Sequence, residues 1–213
     1  MTAIFFDLDG TLTDPKEGIT KSIQYALRGL GAESPSSDDL EWCIGPPLKE
    51  SFDYLLGKPS LSEEALKLYR QRFAEKGLYE NIIYPDVKSL LKRLMEKDIS
   101  LYVATSKPEV YAVQIIEHFG LERFFKRIFG SGLDGTRSNK ADLLDYAISE
   151  TGQKPEGSFM VGDRKHDAWG ALRNGMLFVG VTYGYGSREE LIEAGARNLI
   201  AKPLDLLGIV APM

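Results

Sequence analysis

Two pairs of aspartates follow short apolar runs in this 213-residue chain. The first pair, Asp7 and Asp9, comes directly after the apolar run at residues 3–6 and is followed by Gly10 and Thr11. Two carboxylates this close at the end of a strand repel each other unless a cation or a shared proton lies between them. A plain Asp-Gly turn, in which the aspartates only accept hydrogen bonds from backbone amides, is the alternative interpretation.

Asp163 and Asp167 form the second pair, after the apolar run at residues 159–161. If a helix begins here, the two carboxylates lie four positions apart on one face. The alternative is that Asp163 only caps the helix. Carboxylates gathered at neighbouring strand ends would form a hard, oxygen-lined site of the kind that Mg2+ prefers.

Thr105 and Lys140 are weaker candidates. Thr105 ends the apolar run at residues 99–104, and Lys140 lies in a predicted first helical turn, where the helix dipole disfavours a cation. A carboxylate cluster nearby would explain the lysine. The alternatives are that Thr105 is only a hydroxyl at the end of a strand and that Lys140 is only a solvated lysine. The segment Gly184-Tyr185-Gly186 has too few glycines for a phosphate loop and is predicted to be a turn.

The elements that must position these residues follow from periodicity. Short apolar runs alternate with segments of helical spacing, which predicts an α/β fold with a Rossmann-like parallel sheet covered by helices on both faces. Ligands bind such sheets beyond the carboxyl ends of the strands. We therefore expect the aspartates to lie at the functional edge of the sheet.

Residues 15–84 interrupt the alternation with helical patterns and no convincing strand. A crossover of this length would be unusually long, which favours a separate small helical subdomain. The predicted organisation is a core domain of residues 1–14 and 85–213, with the helical insertion at 15–84.

The composition limits the classes of function. The chain has 26 basic and 31 acidic residues, a formal net charge of −5, which argues against nucleic acid or an anionic membrane as partner. A single cysteine offers no intramolecular disulfide, and the N-terminal apolar run is too short for a signal peptide or a membrane span. We expect a cytoplasmic protein that acts on a small molecule, as a monomer or weak homodimer.

The candidate residues, taken in order, resemble the four motifs of the haloacid dehalogenase superfamily of phosphohydrolases. The motif residues are Asp7-Leu8-Asp9-Gly10-Thr11-Leu12, Thr105, Lys140, and Gly162-Asp163 with Asp167, and the match spans residues 4–186. The helical insertion resembles the cap of that superfamily and is similar to that of phosphoglycolate phosphatase-like enzymes. The segments at residues 14–19 and 44–48 also resemble a bacterial 5′-nucleotidase-like branch.

The resemblance implies a Mg2+-dependent phosphatase that forms an aspartyl-phosphate on Asp7, with Asp9 as general acid and base. It implies metal binding by Asp7, by the backbone carbonyl of Asp9 and by Asp163. Asp167 would orient a water on the metal or pair with Lys140, and direct binding by Asp167 is left open. Phosphoryl oxygens would contact Thr105, Ser106 and Lys140.

The insertion would select the substrate, and Gly45, Pro46 and Lys49 are the candidate contacts. A simple break between two helices explains this loop equally well. The expected substrate is a small phosphate monoester of the phosphoglycolate kind. A 5′-nucleotidase is the first alternative and a phosphomutase the second. A non-catalytic phosphate-responsive switch and a dehalogenase rank below them.

Overall fold

The computed structural model describes residues 2–210. The chain divides into two compact units, of which the first holds the chain up to Asp14 and again from Ile83, and the second is the inserted segment Pro15–Ile82. The strands are β1 (Ala3–Phe6), β2 (Thr13–Asp14), β3 (Ile82–Ile83), β4 (Ser100–Pro108), β5 (Arg127–Ser131), β6 (Ser158–Gly162), β7 (Leu177–Val181) and β8 (Asn198–Ile200). The α-helices are α1 (Lys16–Gly29), α2 (Leu48–Leu56), α3 (Ser62–Arg72), α4 (Val87–Met95), α5 (Glu109–His118), α6 (Lys140–Thr151), α7 (Lys165–Arg173), α8 (Arg188–Glu193) and α9 (Leu206–Ile209).

Six strands of the first unit form one parallel sheet in the order β5-β4-β1-β6-β7-β8. The predicted parallel α/β fold is confirmed. The chain runs from β1 to one side through β4 and β5, and later to the other side through β6, β7 and β8. The strand order therefore reverses at β1, and this reversal is where parallel sheets bind ligands.

Both faces of the sheet are covered, which is why its central strands are apolar throughout. All four residues of β1 are buried. Ala3 and Phe5 belong to one core cluster with Leu143 and Leu144 of α6. Because side chains alternate along a strand, Ile4 and Phe6 point to the opposite face, and both are also buried. Alternating apolar and polar positions would be the signature of a sheet with one exposed face.

The strand β4 is longer than the apolar run that predicts it. Its pairing with β5 shifts register between Ala104 and Pro108, and α5 begins only at Glu109. Ser106 and Pro108 therefore belong to β4 and not to the helix that follows. A register shift of this kind redirects side chains at the strand end, and here it affects Thr105 and Lys107.

The inserted unit is helical, with α1, α2 and α3 followed by a π-helical turn at Phe73–Gly77. Tyr69 and Phe73 stack at 5.3 Å between ring centroids. The guanidinium of Arg72 donates to both carboxylate oxygens of Glu80, at 2.8 and 2.9 Å, and to Ser22 Oγ at 3.1 Å. This bidentate pair fixes α3 to the segment through which the chain leaves the unit.

Within residues 2–210, we find no α-helix that combines the length and the apolar character needed for a membrane crossing.

Candidate active site

Asp7 lies at the carboxyl end of β1, at the start of a tight loop. Its backbone N–H still donates to Val161 O of β6, at 2.9 Å, so the residue continues the sheet pairing. The loop then turns back on itself, with the N–H groups of Leu12 and Thr13 both donating to Leu8 O. The Asp7 carboxylate accepts from Leu8 N–H at 2.8 Å, which orients it at the sheet edge.

Asp163 follows β6, the neighbour of β1, and is 1% exposed. Its Oδ2 accepts from the backbone N–H of Tyr185 at 2.8 Å, and its Oδ1 accepts from the hydroxyl of Thr11 at 3.3 Å. The backbones on both sides approach it closely. A Cβ at Gly10, where φ is +79°, would lie 2.2 Å from Asp163 Oδ2, and one at Gly184 would lie 2.6 Å from the same atom. These glycines are required where they stand because a side chain would displace the carboxylate.

Lys140 is the first residue of α6 and is almost fully buried. Its ammonium lies 3.0 Å from Asp7 Oδ1 and 2.8 Å from Asp167 Oδ1, and it donates to Ala104 O at 2.9 Å. Burial alone would lower its pKa, but the two carboxylates outweigh burial and raise it. The Asn139 side chain caps α6 by accepting from the N–H groups of Ala141 and Asp142. The carboxylate cluster thus explains a cation at a helix N-terminus.

Asp167 lies in the first turn of α7, where its Oδ2 accepts from the backbone N–H of Arg164 at 3.1 Å. This bond satisfies an N–H group that the helix itself leaves unpaired. Its other oxygen faces Lys140. Burial, followed by the neighbouring Asp7, raises the pKa of Asp167 to about 6 despite the lysine.

Asp9 points to a second lysine. Its Oδ2 lies 2.7 Å from Lys107 Nζ, and both side chains are largely buried. Burial raises the pKa of Asp9, and Lys107 opposes the change without reversing it. Among the described residues, nothing hydrogen-bonds to Oδ1 of Asp9. This oxygen is therefore available to hold and release a proton.

Asp7, Asp163 and Asp167 form one acidic cluster, with a carboxylate oxygen from each within 4.8 Å of the others. Burial raises the pKa of Asp163 well above its ordinary value, and Asp167 and Asp7 add to the effect. When all are ionised, four buried carboxylates face two ammonium groups here, which leaves an excess of two negative charges. One divalent cation would cancel that excess, and carboxylate oxygens are the hard ligands that Mg2+ prefers, with waters and substrate phosphate completing its shell. The residues present fit the ion.

Thr105 and Ser106 occupy the irregular end of β4. Thr105 is buried, and its Oγ1 accepts from Lys107 N–H at 3.3 Å. The carbonyl of Ser106 accepts from the Ser131 hydroxyl at 2.9 Å, which ties the end of β4 to β5. Both residues lie in the last part of β4, the strand adjacent to β1, so they share the edge of the sheet with Asp7.

Gly45, Pro46 and Lys49 belong to the inserted unit. Gly45 has a φ of +104°, and Pro47 precedes the first residue of α2. Lys49 Nζ lies 3.1 Å from Asp53 one turn later in that helix. The loop is thus a helix-entry turn whose lysine is paired within its own unit.

Three residues that contact the aspartates of this site had no predicted role, namely Lys107, Thr11 and Tyr185. Thr11 belongs to the first motif, and its position directly after Asp-Gly at a strand end is a signal in the sequence. Lys107 follows Thr105 by two positions and precedes a proline, which gives little indication of burial. Tyr185 lies in the segment that was predicted to be only a turn.

Comparison with known proteins agrees with this geometry. Residues 4–181 match the family described as haloacid dehalogenase-like hydrolase. A relative from Pseudomonas aeruginosa, named 5′-nucleotidase, is 49% identical over 88% of this chain and 86% of its own length. A Mycobacterium tuberculosis relative named tyrosine-protein kinase PtkA is 38% identical over 92% of this chain and 67% of its own. A Vibrio parahaemolyticus phosphoglycolate phosphatase is 28% identical over 98% and 95%.

A solved structure gives the same result. The crystal structure described as a predicted phosphatase from Clostridium acetobutylicum is 41% identical and superposes with a TM-score of 0.94, covering 98% of this chain and 97% of the other. The resemblance predicted from the motifs is confirmed, and the chain belongs to the haloacid dehalogenase-like hydrolase family.

Proposed function

We propose that the protein is a Mg2+-dependent phosphatase that hydrolyses small phosphate monoesters through an aspartyl-phosphate on Asp7. The observation that carries the proposal is the buried cluster of Asp7, Asp163 and Asp167 with Lys140 between two of its members. Bound Mg2+, held by these carboxylates and by the backbone carbonyl of Asp9, would withdraw charge from the phosphoryl oxygens and favour attack by an anion.

In the first step, a carboxylate oxygen of Asp7 attacks the phosphorus, and the bond from phosphorus to the ester oxygen breaks. The leaving alkoxide takes a proton from Asp9. Asp7 is suited to attack because Lys140 lies 3.0 Å away and stabilises the anion. Asp9 is suited to donate because burial favours its protonated form.

In the second step, Asp9 takes a proton from a water molecule, whose oxygen attacks the phosphorus of the aspartyl-phosphate. The bond between phosphorus and the Asp7 oxygen breaks, which releases inorganic phosphate and regenerates the carboxylate. Lys107 holds Asp9 Oδ2 at 2.7 Å throughout both transfers. The proton is therefore exchanged at Oδ1.

The phosphoryl group needs further donors as charge moves onto its oxygens. We assign the hydroxyl of Thr105, the backbone N–H of Ser106 and the ammonium of Lys140 to this role. Lys140 has the additional task of separating Asp7 from Asp167, and Asp167 holds the lysine in place.

For the substrate we propose a nucleoside 5′-monophosphate, because the 5′-nucleotidase relative shares 49% identity and the phosphoglycolate phosphatase relative 28%. The inserted unit is proposed to act as a cap that selects the leaving group, with Gly45, Pro46 and Lys49 as candidate contacts. The kinase relative supports a second candidate, phosphoryl transfer to a protein tyrosine.

A phosphate-release panel tests the proposal. It should compare nucleoside monophosphates, phosphoglycolate, sugar phosphates and pyrophosphate, each with Mg2+ or with EDTA. Transfer from ATP to a tyrosine peptide forms a separate arm. We expect Mg2+-dependent release from nucleoside monophosphates and no transfer to the peptide. Peptide phosphorylation without phosphate release would favour the kinase candidate.

The covalent step needs its own measurement. Asp7→Asn should abolish both phosphate release and the labelled phosphate that remains on acid-quenched protein. Asp145→Asn is the matched control, because Asp145 is an exposed aspartate of α6 and should behave like the wild type. Turnover by Asp7→Asn at a near-normal rate would contradict the mechanism.

A further inference from the structure

Tyr185 makes hydrogen bonds that point in different directions. Its backbone N–H donates to Asp163 Oδ2 at 2.8 Å. Its side-chain hydroxyl donates to the carboxylate of Asp14. One residue thus joins a carboxylate of the acidic cluster to a residue far away in sequence.

Asp14 is the last residue of the first unit before the chain enters the inserted unit. It is also the end of β2, which pairs with β3, where the chain returns. Tyr185 is therefore bonded to the point at which the polypeptide leaves the sheet unit. All the residues of this connection lie within the first unit.

A second connection runs in parallel. The hydroxyl of Tyr183 donates to Thr11 O at 3.1 Å, and the hydroxyl of Thr11 donates to Asp163 Oδ1 at 3.3 Å. The ring of Tyr183 also meets that of Tyr84 edge to face, with 5.0 Å between the centroids. Tyr84 directly follows β3, so both oxygens of Asp163 are linked to the segments that flank the insertion.

We propose that Tyr185 is a positioning residue that couples the orientation of Asp163 to the linker at Asp14. The hydroxyl anchors the loop to the linker, and the anchored loop presents its N–H to Asp163. The close approach of Gly184 is consistent with this role, because the backbone of the loop lies directly against the Asp163 side chain and a Cβ at Gly184 would meet it at 2.4 Å. The inference rests on the proposed metal site and adds a residue that no motif of the family resemblance contains.

The consequence is that metal affinity depends on a hydroxyl that does not itself reach the metal site. Groups that orient metal ligands commonly change affinity by about tenfold or more when they are removed. Tyr185→Phe removes the hydroxyl, with its hydrogen bonds to Asp14 and Tyr84, and keeps the ring and the backbone N–H, so any loss reports the hydroxyl and not the packing of the ring.

The test is direct Mn2+ binding to the purified protein, followed by electron paramagnetic resonance of the free ion. Tyr102→Phe is the matched control, because Tyr102 is a buried tyrosine of the same unit whose hydroxyl accepts one hydrogen bond, from Gln153 at 3.3 Å. We expect Tyr185→Phe to weaken Mn2+ binding about tenfold. Tyr102→Phe should bind as the wild type does, with a similar loss of thermal stability.

Asp14 provides the second half of the test and an independent variant if Tyr185→Phe folds poorly. Asp14→Ala removes the acceptor and should weaken Mn2+ binding as much as Tyr185→Phe does. Asp14→Asn keeps an acceptor oxygen and should bind more tightly than Asp14→Ala. The double variant should lose less affinity than the sum of the two single losses, because both single variants remove the bond between Tyr185 and Asp14.

Unchanged affinity in Tyr185→Phe, or additive losses in the double variant, would overturn the inference while leaving the metal site in place. A wild-type protein that binds no Mn2+ would overturn the metal site and this inference together.

Discussion

Asp163 is held at an energetic cost to the protein without metal, so replacing it should increase stability. The residue is 1% exposed, and its carboxylate lies near those of Asp7 and Asp167. Burial and these neighbours raise its pKa well above the ordinary 3.8. Asp163→Asn keeps the shape of the side chain and removes the charge, which separates the cost of the charge from that of the packing.

The size of the effect follows from two limits. Unit charges 4.8 Å apart repel by about 3.5 kcal/mol at an effective dielectric constant of about 20. The carboxyl can instead escape the repulsion by binding a proton. At pH 7 this costs a carboxyl of ordinary pKa 3.8 about 4 kcal/mol, which is the upper limit of the repulsion. Removing the charge relieves this repulsion. The new amide NH2, however, is a donor that faces another donor, either Tyr185 N–H or the Thr11 hydroxyl, and the lost hydrogen bond costs about 1–3 kcal/mol.

We therefore expect Asp163→Asn to be more stable than the wild type by about 2 kcal/mol in EDTA at pH 7. That difference corresponds to a rise in the melting temperature of about 4–8 °C for a chain of this size. Excess Mg2+ should stabilise the wild type by mass action and leave the variant unchanged. The difference in unfolding free energy between Asp163→Asn and the wild type should thus shrink as Mg2+ is added.

Urea denaturation in EDTA and in Mg2+ measures both effects, with Asp145→Asn as the control for the loss of an exposed carboxylate. The control should stay within about 0.5 kcal/mol of the wild type in either buffer. A variant Asp163→Asn that is less stable than the wild type in EDTA would refute the reasoning, because the hydrogen bonds of Asp163 would then outweigh its repulsion.

Three further predictions concern single groups. Lys140→Met leaves Asp7 and its neighbours without the ammonium between them, so urea denaturation in EDTA should show a loss of about 3 kcal/mol, partly recovered in Mg2+. Gly10→Ala forces a Cβ to within 2.2 Å of Asp163 Oδ2 at a positive φ, and the same assay should show a loss of about 2 kcal/mol. Hydrogen bonds from Arg72 lower the pKa of Glu80 below its ordinary 4.5. This pair therefore stabilises the fold fully above pH 4.5, and its contribution is lost as the pH falls through the lowered pKa of Glu80. The melting temperatures of the wild type and Glu80→Gln should thus differ at neutral pH and converge in acid.

The sheet and the acidic residues were predictable because both have local signals. The apolar runs are continuous where strands are buried on both faces, as in β1, and the aspartates follow those runs directly. Parallel strands place their carboxyl ends at one edge, so the residues after β1 and β6 had to lie together once the fold class was known.

Lys107 was not predictable because its position depends on a departure from regular structure. Periodicity ends β4 at Ala104, whereas the strand continues through a register shift to Pro108. The shift brings Lys107 to Asp9, and it changes the charge of the site, since a count based on Lys140 alone lacks one cation. The role of Tyr185 was not predictable for a different reason. Its partner Asp14 lies 171 positions away, and no local pattern connects the two residues.

The place of the insertion also sets an order of events during synthesis. Ala3 of β1 pairs with Ser100 of β4 and with Ser158 of β6, and the whole inserted unit lies between β1 and both partners. A chain that emerges from the ribosome N-terminus first therefore carries β1 unpaired until the helices of the insertion have been made. Because those helices contact one another over short sequence distances, they can fold while β1 waits. Of the six strands of the sheet, the one that leads into Asp7 is thus made first and stays longest without a partner.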